Sequence, residues 1–203
     1  MDKNIFKAII ADRADDISSI RARAHAVHDS VNQHYDRTRP YGYHLDMVAK
    51  GVEDYAASVC QDPGDVLPLI FGAFFHDSIE DARLTYNDVL AIAREYFPED
   101  KAILATEIVY ALTNEKGRTR AERASEKYYS GIRLTPYAPL VKLADRLANT
   151  AYSSSHSGCP NSSMREVYRH ELPHFLSSIQ SPLAASDPRF ALPQDMVRAI
   201  NSI

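Results

Sequence analysis

The sequence predicts an all-α fold, a helical bundle, from three observations. Apolar residues recur at three- and four-residue steps along most of the chain. The Pro- and Gly-containing breakers fall mostly between those periodic segments. No alternating stretch of useful strand length and no glycine-rich phosphate loop interrupts them. With 203 residues, no internal repeat and no long linker, the chain is expected to form one domain over 1–203. Its core is expected between about residues 20 and 180.

The elements follow in order. Ile17, Ile20, Ala24, Val27 and Val31 make an amphipathic first helix. The polar stretch from Asp36 to Gly42 is a turn, and Val48, Val52 and Tyr55 mark a helix from about His44 to Val59. Gln61 to Asp65 is a breaker, from which Asp65 is placed to cap the apolar helix Leu67 to Phe75. Thr85 caps a helix through about Phe97, and Pro98 and Glu99 open another that runs to about Leu112. Arg118 to Tyr129 reads as a charged, solvated helix. Thr135-Pro136 starts a helix through Val141, Leu143, Ala144, Leu147 and Ala148, and Ser153 to Gly158 reads as a loop. Asn161 starts a long helix bent or ended near Pro173, and the tail from about Pro188 holds a last short helix.

Composition narrows the function. A hydrophobic fraction of 45% and a charged fraction of 25% are those of an ordinary globular protein. The net charge of −4 supplies no basic footprint, so no nucleic-acid partner is expected. Cys60 and Cys159 have no framework spacing, which suits a reducing cytoplasm. No signal-peptide stretch and no run of ~18 apolar residues occurs, so no membrane partner is expected and a cytoplasmic location is. The oligomeric state has no signature in the pattern.

The densest chemistry lies in Phe74-Phe75-His76-Asp77-Ser78-Ile79-Glu80-Asp81, one imidazole and three carboxylates directly behind an apolar run. If the segment is helical, His76 shares a face with Glu80, and Asp77 with Asp81. Unpaired burial of such groups is costly, and a cation that takes nitrogen and oxygen donors together offsets the cost. A helix end surfacing into water is the bland alternative. Two further donors match: His44 follows Pro40-Tyr41-Gly42-Tyr43, and Asp145 interrupts the apolar Val141-Lys142-Leu143-Ala144 helix. Asp145 needs a partner there, and Lys142 is a better one than Arg146, because adjacent residues diverge on a helix.

The order His44, then His76-Asp77, then Asp145 resembles the HD-domain metal-dependent phosphohydrolases. His76-Asp77-Ser78-Ile79-Glu80-Asp81 is similar to the HD…ED signature of the RelA/SpoT-type alarmone hydrolases, the small MESH-like ones among them. Pro40-Tyr41-Gly42-Tyr43-His44 resembles their Pro-Tyr-x-x-His segment, and Lys142 to Asn149 their Lys-Leu-Ala-Asp-x-Leu-x-Asn helix. The similarity spans about His25 to Tyr152.

The resemblance implies a divalent cation, usually Mn²⁺, held by His44, His76, Asp77 and Asp145. It implies that Glu80 and Asp81 orient or deprotonate water, or support the ligands from outside. Asn149 would contact a ribose and Lys142 a phosphate, although Lys142 also reads as a surface lysine. Tyr43 can stack on a base or simply pack. Arg118, Arg120, Arg123 and Lys127 can grip a diphosphate or form a solvated face with Glu122 and Glu126. The implied reaction is hydrolysis of the 3′-pyrophosphate of a (p)ppGpp-type alarmone to GDP or GTP and pyrophosphate. Leu45 replaces the family's Pro after the first metal His, and Arg37 and Arg39 differ in spacing from its basic segment. Another small-molecule nucleotide therefore stays open as substrate: a nucleoside monophosphate, an adenine alarmone or NADPH. A nucleotide-binding regulatory module without turnover also stays open. His25, His28, His34, His156, His170 and His174 are not expected to be ligands.

Overall fold

The computed structural model describes residues 1–114, 118–155 and 164–203, apart from the side chains of Arg120 and Ala121. Among them the fold is all-α, with no β-strand and only an isolated bridge between His34 and Pro40. The helices are α1 (Lys3–Asp12), α2 (Ala14–Ser30), α3 (Gly42–Tyr55), α4 (Val66–Phe75), α5 (Tyr86–Ala93) and α6 (Glu99–Leu112). After them come α7 (Arg120–Arg123), α8 (Glu126–Leu134), α9 (Ala138–Ser155), α10 (Met164–Ile179) and α11 (Gln194–Asn201). None of the described helices is long and apolar enough to cross a membrane.

The centre of the bundle is α4, all ten of whose residues are buried. A helix that is apolar on every face must be surrounded, and α3, α6 and α2 pack around it. Gly72 makes the α4–α6 approach possible, since a Cβ there would lie 2.6 Å from Ile108 Cγ2. Helix α9 lies against α3 and also receives α10 and α11. One hydrophobic cluster extends from Phe6 to Ile200.

Several boundaries differ from the sequence expectation. Helix α1 was not anticipated; Asp2 caps it by accepting from the backbone N–H of Asn4 at 2.8 Å. In α2 the buried stripe is Ile20, Ala24 and His28, while Val31 lies beyond the helix and is exposed. Asp65 makes no cap bond to α4; its carboxylate is taken by Lys101 and Tyr137 instead. The expected capping by Thr85 is present as a reciprocal box with Asp88. The charged stretch from Arg118 is split into α7 and α8, and Tyr128 and Ile132 of α8 are buried. Ser153 to Ser155 are helical, and α10 continues through Pro173. Asn161 and His156 lie outside the described residues.

The most consequential difference lies behind α4. The helix ends at Phe75, and His76 to Asp81 form hydrogen-bonded turns, among them Ser78 N–H to Phe75 O and Asp81 N–H to Asp77 O. The expected pairing of His76 with Glu80 on one helical face is therefore absent: His76 is buried and Glu80 is exposed.

Candidate metal centre

Three elements deliver the donors. His44 sits in the first turn of α3, His76-Asp77 just past the end of α4, and Asp145 midway along α9. Because α3 packs on both α4 and α9, the three segments converge. Donor atoms of His44, His76 and Asp145 all lie within 4.8 Å of one another. Asp77 joins them, its Oδ2 standing 2.9 Å from His76 Nε2 and 3.7 Å from His44 Nε2. His44 Nε2 is 3.4 Å from Asp145 Oδ1. Donors about 2.0–2.2 Å from a common small ion fall at comparable mutual separations. The four residues expected as ligands are thus brought together.

The local chemistry fits a cation. His76 Nδ1–H donates to the Ala73 carbonyl at 2.8 Å, which fixes the ring and turns Nε2 toward the carboxylates. That Nε2 meets Asp77 Oδ2 at 2.9 Å, whereas His44 Nδ1 is buried without a hydrogen bond. Two carboxylates face one ammonium, Lys142, whose Nζ donates to Asp145 Oδ2 at 3.0 Å. Burial disfavours charge on His76, but the Asp77 carboxylate beside it, with Asp145 behind, raises its pKa to about 9. Burial likewise pushes the Asp77 carboxyl up, and His76 outweighs that and holds it below the usual range. For Asp145 burial is opposed and outweighed by Lys142 and both imidazoles. Nitrogen and oxygen donors without a thiolate suit manganese and its borderline neighbours.

The centre opens on a cavity of about 640 Å³. Asp145, Lys142 and Asn149 line it from α9, Arg123 and Asn114 from one rim, and Tyr168, Glu171, His174 and Phe175 from α10. Arg146 turns away from Asp145 to bind Glu171 at 2.9 Å, sandwiched between Tyr168 and Phe175 with its guanidinium 4.8 and 4.3 Å from the ring centres. The α10 wall had no signal in the sequence; only the packing of α10 on α9 reveals it.

The remaining expected residues fall in different places. Glu80 is tied to the cavity rim, accepting from Asn114 Nδ2 at 2.9 Å. Asp81 is half-buried and accepts from Gln33 Nε2 at 3.3 Å, and burial followed by the Asp77 charge raises its carboxyl to about 6. Asn149 donates to Asp145 Oδ1 at 2.6 Å and accepts from Tyr35 at 2.9 Å. Tyr43 does not line the cavity; it packs against Tyr152 under the Arg39 guanidinium. The side chain of Arg120 lies outside the described residues.

Two aromatic neighbours of the centre were not singled out. Tyr35 stacks on His44 with ring centres 5.0 Å apart, and Tyr41 donates to Asp77 Oδ2 at 2.5 Å. Tyr41 belongs to the Pro-Tyr segment, so its position was visible although its role was not. The chain matches no protein-family model and no curated protein.

Proposed function

We propose that the chain is a metal-dependent phosphohydrolase of the HD-domain kind, acting on a pyrophosphate-bearing purine nucleotide of the (p)ppGpp type. The observation that carries this reading is the convergence of His44, His76 and Asp145, with Asp77 beside them, next to a cavity lined by Asp145 together with Lys142 and Arg123. Carboxylates and imidazoles hold the ion while cations at the same mouth suit the charge of a diphosphate. The ligand order and the accompanying motifs, through their resemblance to the alarmone hydrolases, narrow the substrate.

The four donors would hold Mn²⁺ or a related ion, which when bound acidifies water and neutralises charge on a phosphate. The residues of the chain do the rest. Lys142 keeps its ammonium at the boundary between Asp145 and the cavity, where it meets a phosphate oxygen. Asp81, with its carboxyl raised to about 6, is suited to accept a proton near neutral pH. Glu80 acts at one remove, by fixing Asn114 on the rim. Asn149 reaches a ribose by giving up its bond to Tyr35.

Incubation of the Mn²⁺-loaded protein with ppGpp, with products resolved by anion exchange, tests the reading. GDP and pyrophosphate, abolished by EDTA, are expected. A metallated protein that leaves ppGpp intact overturns the substrate. A second reading, a different purine nucleotide, is favoured by Arg39: the cation nearest the Pro-Tyr segment is paired with Asp36 at 3.1 Å. Adenine alarmones, NADPH and nucleoside monophosphates assayed in parallel separate the two.

A further inference from the structure

Tyr41 occupies an unusual position relative to the donors. It immediately precedes α3, and its carbonyl accepts from the N–H of His44 at 2.8 Å, so its backbone starts the turn that carries the first ligand. Its ring stands edge-on to the His44 imidazole, 5.5 Å between centres. Its hydroxyl donates to Asp77 Oδ2, the oxygen that faces both imidazoles. A buried phenol needs an acceptor, and a backbone carbonyl would satisfy it equally well. Here the acceptor is a donor group of the centre, and a charge-assisted bond of this kind restricts rotation of the carboxylate.

The ring is held from the other side by His28. The two rings stack with centres 4.6 Å apart and planes inclined by 18°. His28 is fully buried, and neither ring nitrogen has a hydrogen-bond partner. Nothing in its polar chemistry explains the residue, whereas its flat face against Tyr41 does. The stack depends on a close approach of α2 to the start of α3. Gly42 allows it, because a Cβ there would lie 2.5 Å from the His25 ring.

We propose that Tyr41 is a positioning residue of the metal centre, orienting the Asp77 carboxylate through its hydroxyl, and that His28 is the plate that holds Tyr41 in place. The proposal rests on the reading of His44, His76, Asp77 and Asp145 as ligands. Tyr41 touches neither ion nor substrate; it acts by keeping one donor aimed. Removing an outer partner of this type lowers metal affinity by about 10- to 100-fold.

The test is equilibrium binding of Mn²⁺ alone, followed by electron paramagnetic resonance of the free ion, on the intact chain and on Tyr41→Phe. The substitution keeps the ring and its stack and deletes only the hydroxyl. A 10- to 100-fold weaker affinity is expected, with the far-UV circular dichroism of the intact chain retained. The control Tyr137→Phe, which deletes the matching hydroxyl on Asp65 away from the donors, should leave affinity within twofold of the intact chain. An equal loss in both variants marks a general structural effect and overturns the proposal, as does a Tyr41→Phe affinity within twofold of the intact chain. If Tyr41→Phe does not fold, His28→Leu takes its place, since it removes the plate and leaves the hydroxyl. Affinity within twofold of the intact chain then overturns the proposal. An intact chain that binds no Mn²⁺ overturns the metal reading itself, and is recognised before any variant is compared.

Discussion

Two buried carboxylate clusters share this core, and they are finished differently. Around Asp65 both carboxylate oxygens are met: Oδ1 accepts from Lys101 at 2.6 Å and Oδ2 from the Tyr137 hydroxyl at 2.7 Å. Lys101 also reaches Asp62 at 2.8 Å, and Tyr137 donates its backbone N–H to the Arg189 carbonyl at 2.7 Å. Around Asp77 and Asp145 the same kinds of group, a lysine and a tyrosine, are present and do not suffice. Lys142 takes Asp145, His76 Nε2 faces Asp77 at 2.9 Å, and His44 Nδ1 is left buried without a hydrogen bond. The first cluster is complete in itself and works as a structural tie. On the proposed reading a cation completes the second, and that residual valence, rather than burial or charge alone, would distinguish a site from a tie.

The comparison predicts opposite responses. Asp65→Ala should leave Lys101 and Tyr137 without their buried acceptor and cost about 3–5 kcal/mol, roughly 10 °C in Tm, with Mn²⁺ affinity of the folded chain unchanged. A loss of stability below about 1 kcal/mol in thermal or urea unfolding would show that the tie is dispensable. Mn²⁺ at a hundred times its Kd should stabilise the intact chain by about 2.7 kcal/mol, raising Tm by about 5–10 °C. The same addition should shift Asp65→Ala equally and leave Asp77→Ala unmoved; a shift that survives Asp77→Ala would place the ion elsewhere.

A smaller effect separates His28 from the ligands. Burial lowers its pKa from 6.5 to about 4, so it is neutral in the folded chain and takes up a proton more readily when unfolded. Its contribution is fully present above pH 6.5 and is lost as pH falls from there towards 4, on the order of 2 kcal/mol. His28→Phe should keep the stack on Tyr41, remove two unpartnered nitrogens and flatten that part of the pH profile at equal or higher stability. Urea unfolding at pH 7 and pH 5 checks it; an unchanged pH dependence would assign the acid sensitivity to other groups.

What was legible in the sequence is what depends on neighbours along the chain. Helical spacing located α3, α4, α6 and α9, and the Thr85–Asp88 box is a three-residue signal. The four donors could be named because each lies within a short motif on its own element. What was not legible are contacts set by packing. Asp65 reads as a cap in the sequence because its partners are 36 and 72 residues away. Tyr41 and Asp77 are likewise 36 residues apart. Helix α1 carries a stripe at helical steps, Ile5, Phe6, Ile9 and Ile10, and was legible although only Phe6 of it is fully buried. The apolar run ends α4 at Phe75, as found, but leaves open whether His76 to Asp81 continue the helix. Spacing extends a helix as far as its pattern allows, while the buried ring of His76 is held by the Ala73 carbonyl in a turn.

The most direct measurement is the stoichiometry of Mn²⁺ on the intact, EDTA-stripped chain, set beside Asp77→Ala and Asp145→Ala. One ion per chain, absent from both variants while their helical circular dichroism persists, is the predicted result. A folded intact chain that takes up no divalent ion, or variants that bind as it does, would contradict the metal centre.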